Sequence, residues 1–350
     1  MPIESYRIMS VNRFSWADEA EVGGFDSATI TKERSSGTPL LESGTYTFTS
    51  QIGSEFKEGW YRLEALIDED GVYTRRAIAT QKLVGASGTI DFGVDTKTVN
   101  GRSVLYPVSK RKFMARSYIP KGADAISYIG NLLRASTPAP VATPDGGFVV
   151  DDYYVFDRGE SYLDAIWNLL DKAGWCLQIA GDGGVIIRKR PTVPVVTLTS
   201  VDHAILMPGV KYSHDRSEPP NRYILVDPYN GYKTTIVQNK QASSKTSYQA
   251  RGYEWHDYVD EAPLHMSGES AKLYAKRQLE YLSTTVKEYE YERDFIADAD
   301  VLPQHVVRAA MPSLAFEGDL RISSQSMTVQ RGSGLTVKEK AGFEIKEYTA

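Results

Sequence analysis

The stretch from Glu160 to Pro191 constrains this chain more than any other. Tyr162, Leu163, Ile166, Leu169, Leu170 and Ala173 recur at three- and four-residue steps, the spacing of one apolar helical face. Ser161 followed by Asp164 forms a short-carboxylate capping box, and Gly174 stands where a left-handed C-cap is needed. Trp175, Leu177 and Ile179 alternate as a half-buried strand, and the run from Ala180 to Gly184 turns the chain into Val185, Ile186 and Ile187. Gly181 and Gly183 imitate a phosphate loop. They join two strands, however, whereas a dinucleotide fingerprint leads from a strand into a helix. The stretch predicts a helix and a β-hairpin without catalytic apparatus.

A chain of 350 residues can bury two or three cores. The formal charge of −5 supplies no basic field for a phosphate backbone, so specific nucleic-acid binding is not expected. No apolar run approaches the length of a membrane span. The N-terminal residues lack the apolar core of a signal peptide, which predicts no secretion by that route. Cys176 is the sole cysteine, so packing or assembly must replace disulfides. The 22 tyrosines suit strands and interfaces, because each has an apolar body and a polar tip.

The organisation read along the chain is mainly β with α+β content: two barrel-like β domains flanking a small α+β domain. Residues 1–110 form the first β-barrel-like domain. Its strands include the alternation at 45–49 and the run Tyr61, Leu63, Ala65 and Ile67, which returns from Val72 to Thr80. The acidic turn between them, Asp68 to Gly71, lacks the ligand series of a calcium loop and reads as a hairpin tip. Residues 111–195 form the α+β helix-hairpin domain, whose first helix is marked by Ala125, Ile126, Ile129, Leu132 and Leu133. Residues 196–350 form the second β-barrel-like domain, with a loop-rich insertion at about 228–265 and a long helix at about 268–285. Within that insertion the polar run 238–247 predicts an exposed loop. After the helix, Tyr289, Tyr291, Arg293 and Phe295 alternate against acids as a strand.

Candidate chemistry is sparse. His203, His214, His256, His265 and His305 form neither an HExxH pair nor another compact ligand spacing. Trp255-His256-Asp257 sets a carboxylate beside an imidazole, yet neighbours on a strand point to opposite faces. Cys176, between Trp175 and Leu177, reads as a small buried hydrophobe. No Gly-x-Ser-x-Gly elbow and no P-loop occurs. Catalytic, cofactor-binding and metal-binding residues are therefore expected to be none, and the chain is not expected to be an enzyme. Two carboxylates suffice for glycoside hydrolysis, so a carbohydrate-binding or carbohydrate-degrading protein stays open as an alternative.

Four local features, in order, carry a resemblance. They are Leu41–Phe48 with the hairpin after it; Ser161–Trp175 followed by Gly181–Ile187; Glu218–Val226 with its Pro-Pro-Asn-Arg start; and Ala271–Ser283 leading into an alternating strand. Together the chain resembles the tail-hub family of tailed bacteriophages, which includes baseplate hubs and the N-terminal hub region of siphophage tail-associated proteins. The resemblance implies a virion protein at the distal end of the tail. It implies a homotrimer whose two barrels per subunit match a sixfold tail tube, or distal tail protein ring, to a threefold tip, spike or fibre protein; a tape measure protein is a further implied partner. The hub of a phage-like injection machine would share this architecture. One departure stands out. Family members often carry apolar-Pro-Gly-Asp after the long helix, where this chain has Leu302-Pro303-Gln304-His305.

Overall fold

The computed structural model describes residues 3–34, 39–51, 56–69, 72–91, 94–144, 147–150, 154–198, 205–262, 268–294, 301–311, 316–331 and 334–349. The chain is mainly β, with a compact α+β segment. It opens with seven strands: β1 (Ile3–Val11), β2 (Asp18–Val22), β3 (Phe25–Glu33), β4 (Leu41–Gln51), β5 (Gly59–Glu69), β6 (Val72–Asp91) and β7 (Val94–Arg102). Next come α1 (Tyr106–Lys110), β8 (Ser117–Ile119), α2 (Ala125–Arg134), β9 (Val141–Ala142), β10 (Tyr154–Phe156), α3 (Tyr162–Lys172), β11 (Trp175–Ile179) and β12 (Val185–Lys189). The remainder is β13 (Pro194–Leu198), β14 (Ile205–His214), β15 (Arg222–Asp227), β16 (Lys233–Gln238), β17 (Asp257–Glu261), α4 (Gly268–Leu282), β18 (Thr284–Asp294), β19 (Val306–Met311), β20 (Phe316–Gln330) and β21 (Leu335–Lys346).

By compactness the chain forms two units. The first comprises Met1–Gly209 and Tyr291–Ala341, the second Val210–Glu290 and Gly342–Ala350.

In the first unit, strands from both ends of the sequence share one sheet. Its order β20-β3-β4-β7-β6-β5-β1-β2 places β20 antiparallel to β3, with Met327 opposite Ile30. β19 pairs antiparallel with β20 and parallel with β13. Alternation makes one face apolar, so Ile8, Ile30, Tyr46, Leu63, Leu83 and Val99 share a buried cluster. The predicted return strand after Val72 extends beyond Thr80 to Asp91, and its outer half is exposed. Asp70 and Gly71 of the acidic turn lie outside the described residues.

The α+β segment has its own core. Ile126, Ile129 and Leu133 of α2 meet Leu163, Ile166, Leu169 and Leu170 of α3, together with Leu177 and Val185 of the hairpin. Each helix is capped as its sequence dictates. The Asp124 side chain accepts from the backbone N–H groups of Ile126 and Ser127, and the Ser161 hydroxyl accepts from Asp164 N at 3.1 Å. Gly174 ends α3 at φ 71°, in the left-handed region that glycine enters without steric cost.

In the second unit, α4 covers one face of the three-stranded sheet β16-β15-β17. Tyr223, Leu225 and Val237 pack there against Ala271, Ala275 and Leu279. The run 238–247 departs from its expected exposure: Asn239, Ser244, Thr246 and Ser247 are buried. Polarity did not force it outward, because its groups satisfy one another. Asn239 Nδ2 donates to Ser244 Oγ at 2.8 Å and to the Glu347 carbonyl at 3.3 Å, while the Glu347 carboxylate accepts from Lys245 N at 2.8 Å.

Candidate functional site

The residues flagged for chemistry do not converge. His203 and His265 lie outside the described residues. His214 Nε2 pairs with the Thr285 hydroxyl at 2.9 Å, and burial followed by the nearby Arg216 pushes its pKa down. His256 stands 3.9 Å from Glu254, whereas the Asp257 carboxylate is taken by Arg222, whose Nε donates at 2.6 Å. The imidazole and carboxylate neighbours thus serve different partners. His305 is buried, its Nδ1 accepting from Leu302 N at 3.3 Å and its Nε2 lying 3.2 Å from Gln178 Oε1. Among the described residues, no group of three His, Cys, Asp or Glu side chains is placed to hold a metal.

Cys176 is fully buried, and desolvation pushes its thiol pKa up, the direction of a quiet core residue. Around it the charge is unusual. Arg34 and Arg190 both reach Asp171 Oδ1, at 2.7 and 2.6 Å, and Arg34 also lies over the Trp167 ring at 3.9 Å. Burial, then the neighbouring Arg190, lowers the Arg34 pKa to about 10. This cluster ties the loop after β3 to the end of α3.

The glycine turn at 181–184 is a hairpin tip, and it is seated rather than free. Trp16 Nε1 donates to the Asp182 carbonyl at 2.8 Å, and the Thr80 hydroxyl donates to the Gly181 carbonyl at 3.0 Å. A Cβ on Gly181 would lie 2.0 Å from the Ala77 carbonyl oxygen; on Gly183, at φ 85°, it would lie 2.9 Å from Thr80 Cβ. The glycines therefore permit close approach of one backbone to another, the physical need that phosphate-binding loops share.

At the departure from the Pro-Gly-Asp pattern, the turn survives without its glycine. His305 N donates to the Leu302 carbonyl at 3.0 Å, with Pro303 second and Gln304 third at φ 76°. That is the pattern of a type II turn, whose third position demands a positive φ. Gln304 accepts the strain, about 1–2 kcal/mol for a residue with a Cβ. Its buried side chain accepts from Arg34, and its backbone N donates to the Ile322 carbonyl at 2.8 Å.

What remains is surface. On the face of the β15 sheet away from α4, Ile224 stands in register with Ile236 on one side and Val259 on the other. Ile236 and Val259 are 51% and 62% exposed. The arrangement suits association rather than catalysis.

No protein-family model matches the sequence, and no curated protein matches it significantly. Solved structures do. The tail protein from Neisseria meningitidis MC58 superposes with a TM-score of 0.66 at 12% identity, covering 97% of this chain and 97% of that one. The 43 kDa tail protein of prophage MuSo2 from Shewanella oneidensis gives 0.65 at 11% identity over 98% and 99%. An E. coli component of the type VI secretion system, described as structurally similar to T4 bacteriophage tail proteins, gives 0.52 at 9% identity over 93% and 75%. The chain has the fold of these phage tail proteins.

Proposed function

We propose that the chain is a structural, non-enzymatic virion protein that acts as a trimeric hub at the distal end of a phage tail. The observation that carries this reading is the end-to-end correspondence with two tail proteins, over nearly the full length of both partners. In this reading the domains at 1–110 and 196–350 are two barrels alternating around a threefold axis, with 111–195 between them. Six similar surfaces then meet the sixfold tube or distal ring, and three meet a tip, spike or fibre. Docking in a ring covers sheet edges and apolar strips such as Ile236-Ile224-Val259, which a monomer leaves in water.

Sedimentation of the purified chain should give a trimer, or a trimer on mixing with its ring partner. Cryo-electron microscopy of the intact tail should place its density at the junction of tube and tip; density elsewhere sinks the proposal. The correspondence with the secretion-system component supports a second reading, the hub of a phage-like injection machine, and the genes beside this one separate the two.

The tail-tip glycan reading is less well supported. All five tryptophans are buried or half-buried and committed to other groups: Trp16 to Trp60, Trp167 to Arg34, Trp175 to Lys189, and Trp255 to Tyr248 and Arg222. Glycan binding or cleavage by a clean monomer would revive it.

A further inference from the structure

The first unit carries an open cleft of about 720 Å3 to which the tail reading gives no role. Separate stretches build it: Arg13 and Phe14 in the turn after β1, Trp60 and Lys82 on the paired strands β5 and β6, Pro107 of α1, and the segment from Arg134 at the end of α2 to Val141. Three cations line the cleft and no carboxylate does. Lys82 lies opposite Trp60 on one side and opposite Arg102 on the other. Like charges directly opposite on adjacent strands repel, so this placement costs stability in the free chain. Arg13 rests over the ring of Phe14, itself 83% exposed, and Arg134 donates to the Thr143 hydroxyl at 2.9 Å. Of the acids on neighbouring β2, Asp18 is paired with Arg62, and Glu19 accepts from the neutral Asn12 amide; none of them lines the cleft. A chain of net charge −5 has thus gathered three cations around one cleft that no carboxylate lines, a field that favours an anionic ligand.

The rest of the lining selects among anions. The exposed Phe14, Pro138 and Pro140 make its walls apolar and stiff, over a floor that includes the buried Trp60. A free phosphate would leave those walls unused. A saccharide needs neutral donors and acceptors, yet the Thr137 hydroxyl is buried and already donates to the Val104 carbonyl at 2.7 Å. A segment that alternates acidic and apolar residues uses both parts. We infer that this cleft binds an extended acidic peptide segment of a partner protein, its carboxylates meeting Arg13, Lys82 and Arg134 and its apolar side chains lying on Phe14, Pro138 and Pro140. The inference stands independently of the tail reading.

The test is fluorescence anisotropy of the full chain with a labelled peptide of alternating Glu and Leu, about ten residues long, at low and at roughly physiological salt. Binding is expected, weakening roughly tenfold at the higher salt and at least about fivefold with K82E or R134E, because the contacts are charge-assisted. Lys82→Gln removes the charge without adding repulsion; a loss of about threefold at unchanged Tm separates lost recognition from misfolding. K346E, in the second unit, should bind as the unaltered chain does. Absence of peptide binding at millimolar concentration would overturn the inference. So would equal binding by the charge-reversed variants, or tighter binding of a hyaluronan oligosaccharide or inorganic phosphate run in parallel.

Discussion

Two places in the first unit solve the same problem with different residues. Between β3 and β4, Lys32 and Glu42 stand in register and 3.4 Å apart, both fully buried. Gln81 Nε2 donates to Glu42 Oε1 at 3.0 Å, and the Tyr46 hydroxyl donates to Gln81 Oε1 at 3.0 Å. On β18, β20 and β21, Arg293 donates to Glu339 Oε1 at 2.6 Å, Gln325 Nε2 donates to the same oxygen at 2.6 Å, and Tyr291 lies buried beside Glu339. Each quartet is a cation, a glutamate, a glutamine and a tyrosine. A buried ion pair must recover its desolvation cost through further hydrogen bonds, and in both places a glutamine amide supplies one to the glutamate while a buried tyrosine stands beside it. The quartets differ in what else they hold. Lys32 also donates to the Ile179 carbonyl at 3.3 Å, anchoring the helix-hairpin segment, whereas Gln325 donates to the Val301 carbonyl at 2.8 Å, anchoring the approach to β19.

The sharpest way to break the parallel is to remove each glutamate. Glu339→Gln should cost about 3–5 kcal/mol in urea unfolding, since it strands a guanidinium that cannot give up its proton. Glu42→Gln should cost roughly half of that, because a lysine has that escape. Equal losses would mean that cation identity is irrelevant.

Gly101→Ala comes next. Its Cβ would lie 2.0 Å from Gln81 Oε1 and 2.7 Å from the Tyr46 ring, so about 1–3 kcal/mol should be lost from the first quartet alone. Retained Tyr46–Gln81 geometry in a crystal structure of that variant would contradict it.

Alkali should act on both quartets. Burial first, then the adjacent glutamate, raises the pKa of Tyr46 and of Tyr291 well above the ordinary 10.0. With the folded value raised, the stabilisation is fully present below the unfolded value and is lost as pH rises from there toward the folded value. Each tyrosine should therefore cost about 1.4 kcal/mol near pH 11, and Tyr291→Phe should flatten that slope. An unchanged slope would refute the assignment.

The smallest expected effect is at the turn beside the second quartet. Gln304→Gly relieves a left-handed residue but loses the contact from Arg34, so stability should move by less than about 1 kcal/mol. A loss above about 2 kcal/mol would show that the side chain, rather than the backbone, decides this turn.

Local chemistry was legible in the sequence; partnerships across the chain were not. Ser161, Asp164 and Gly174 act within a few residues of themselves, and each sits as its spacing predicts. Tyr289, Tyr291 and Arg293 likewise share the buried face that their alternation implies. That Arg293 could be buried depended on Glu339, 46 residues away, which no local pattern announces. The burial of Asn239, Ser244, Thr246 and Ser247 was hidden for the same reason, since Glu347 completes the hydrogen bonding of that run from 102 and 108 residues away. The glycines at 181 and 183 advertised close approach but not to what. The cationic cleft left no local pattern, because its cations come from a turn, a distant strand and a helix end that only the fold brings together.

The pairing of β3 with β20 has a consequence for synthesis. Glu33 meets Ser324, so the outer edge of β3 waits for a partner emerging about 290 residues later. At ribosomal rates of about 5–20 residues per second, that edge stays open for roughly 15–60 s. For that interval the nascent chain exposes an unpaired strand to every neighbouring copy, so its yield in a cell should depend on how quickly the last strands arrive.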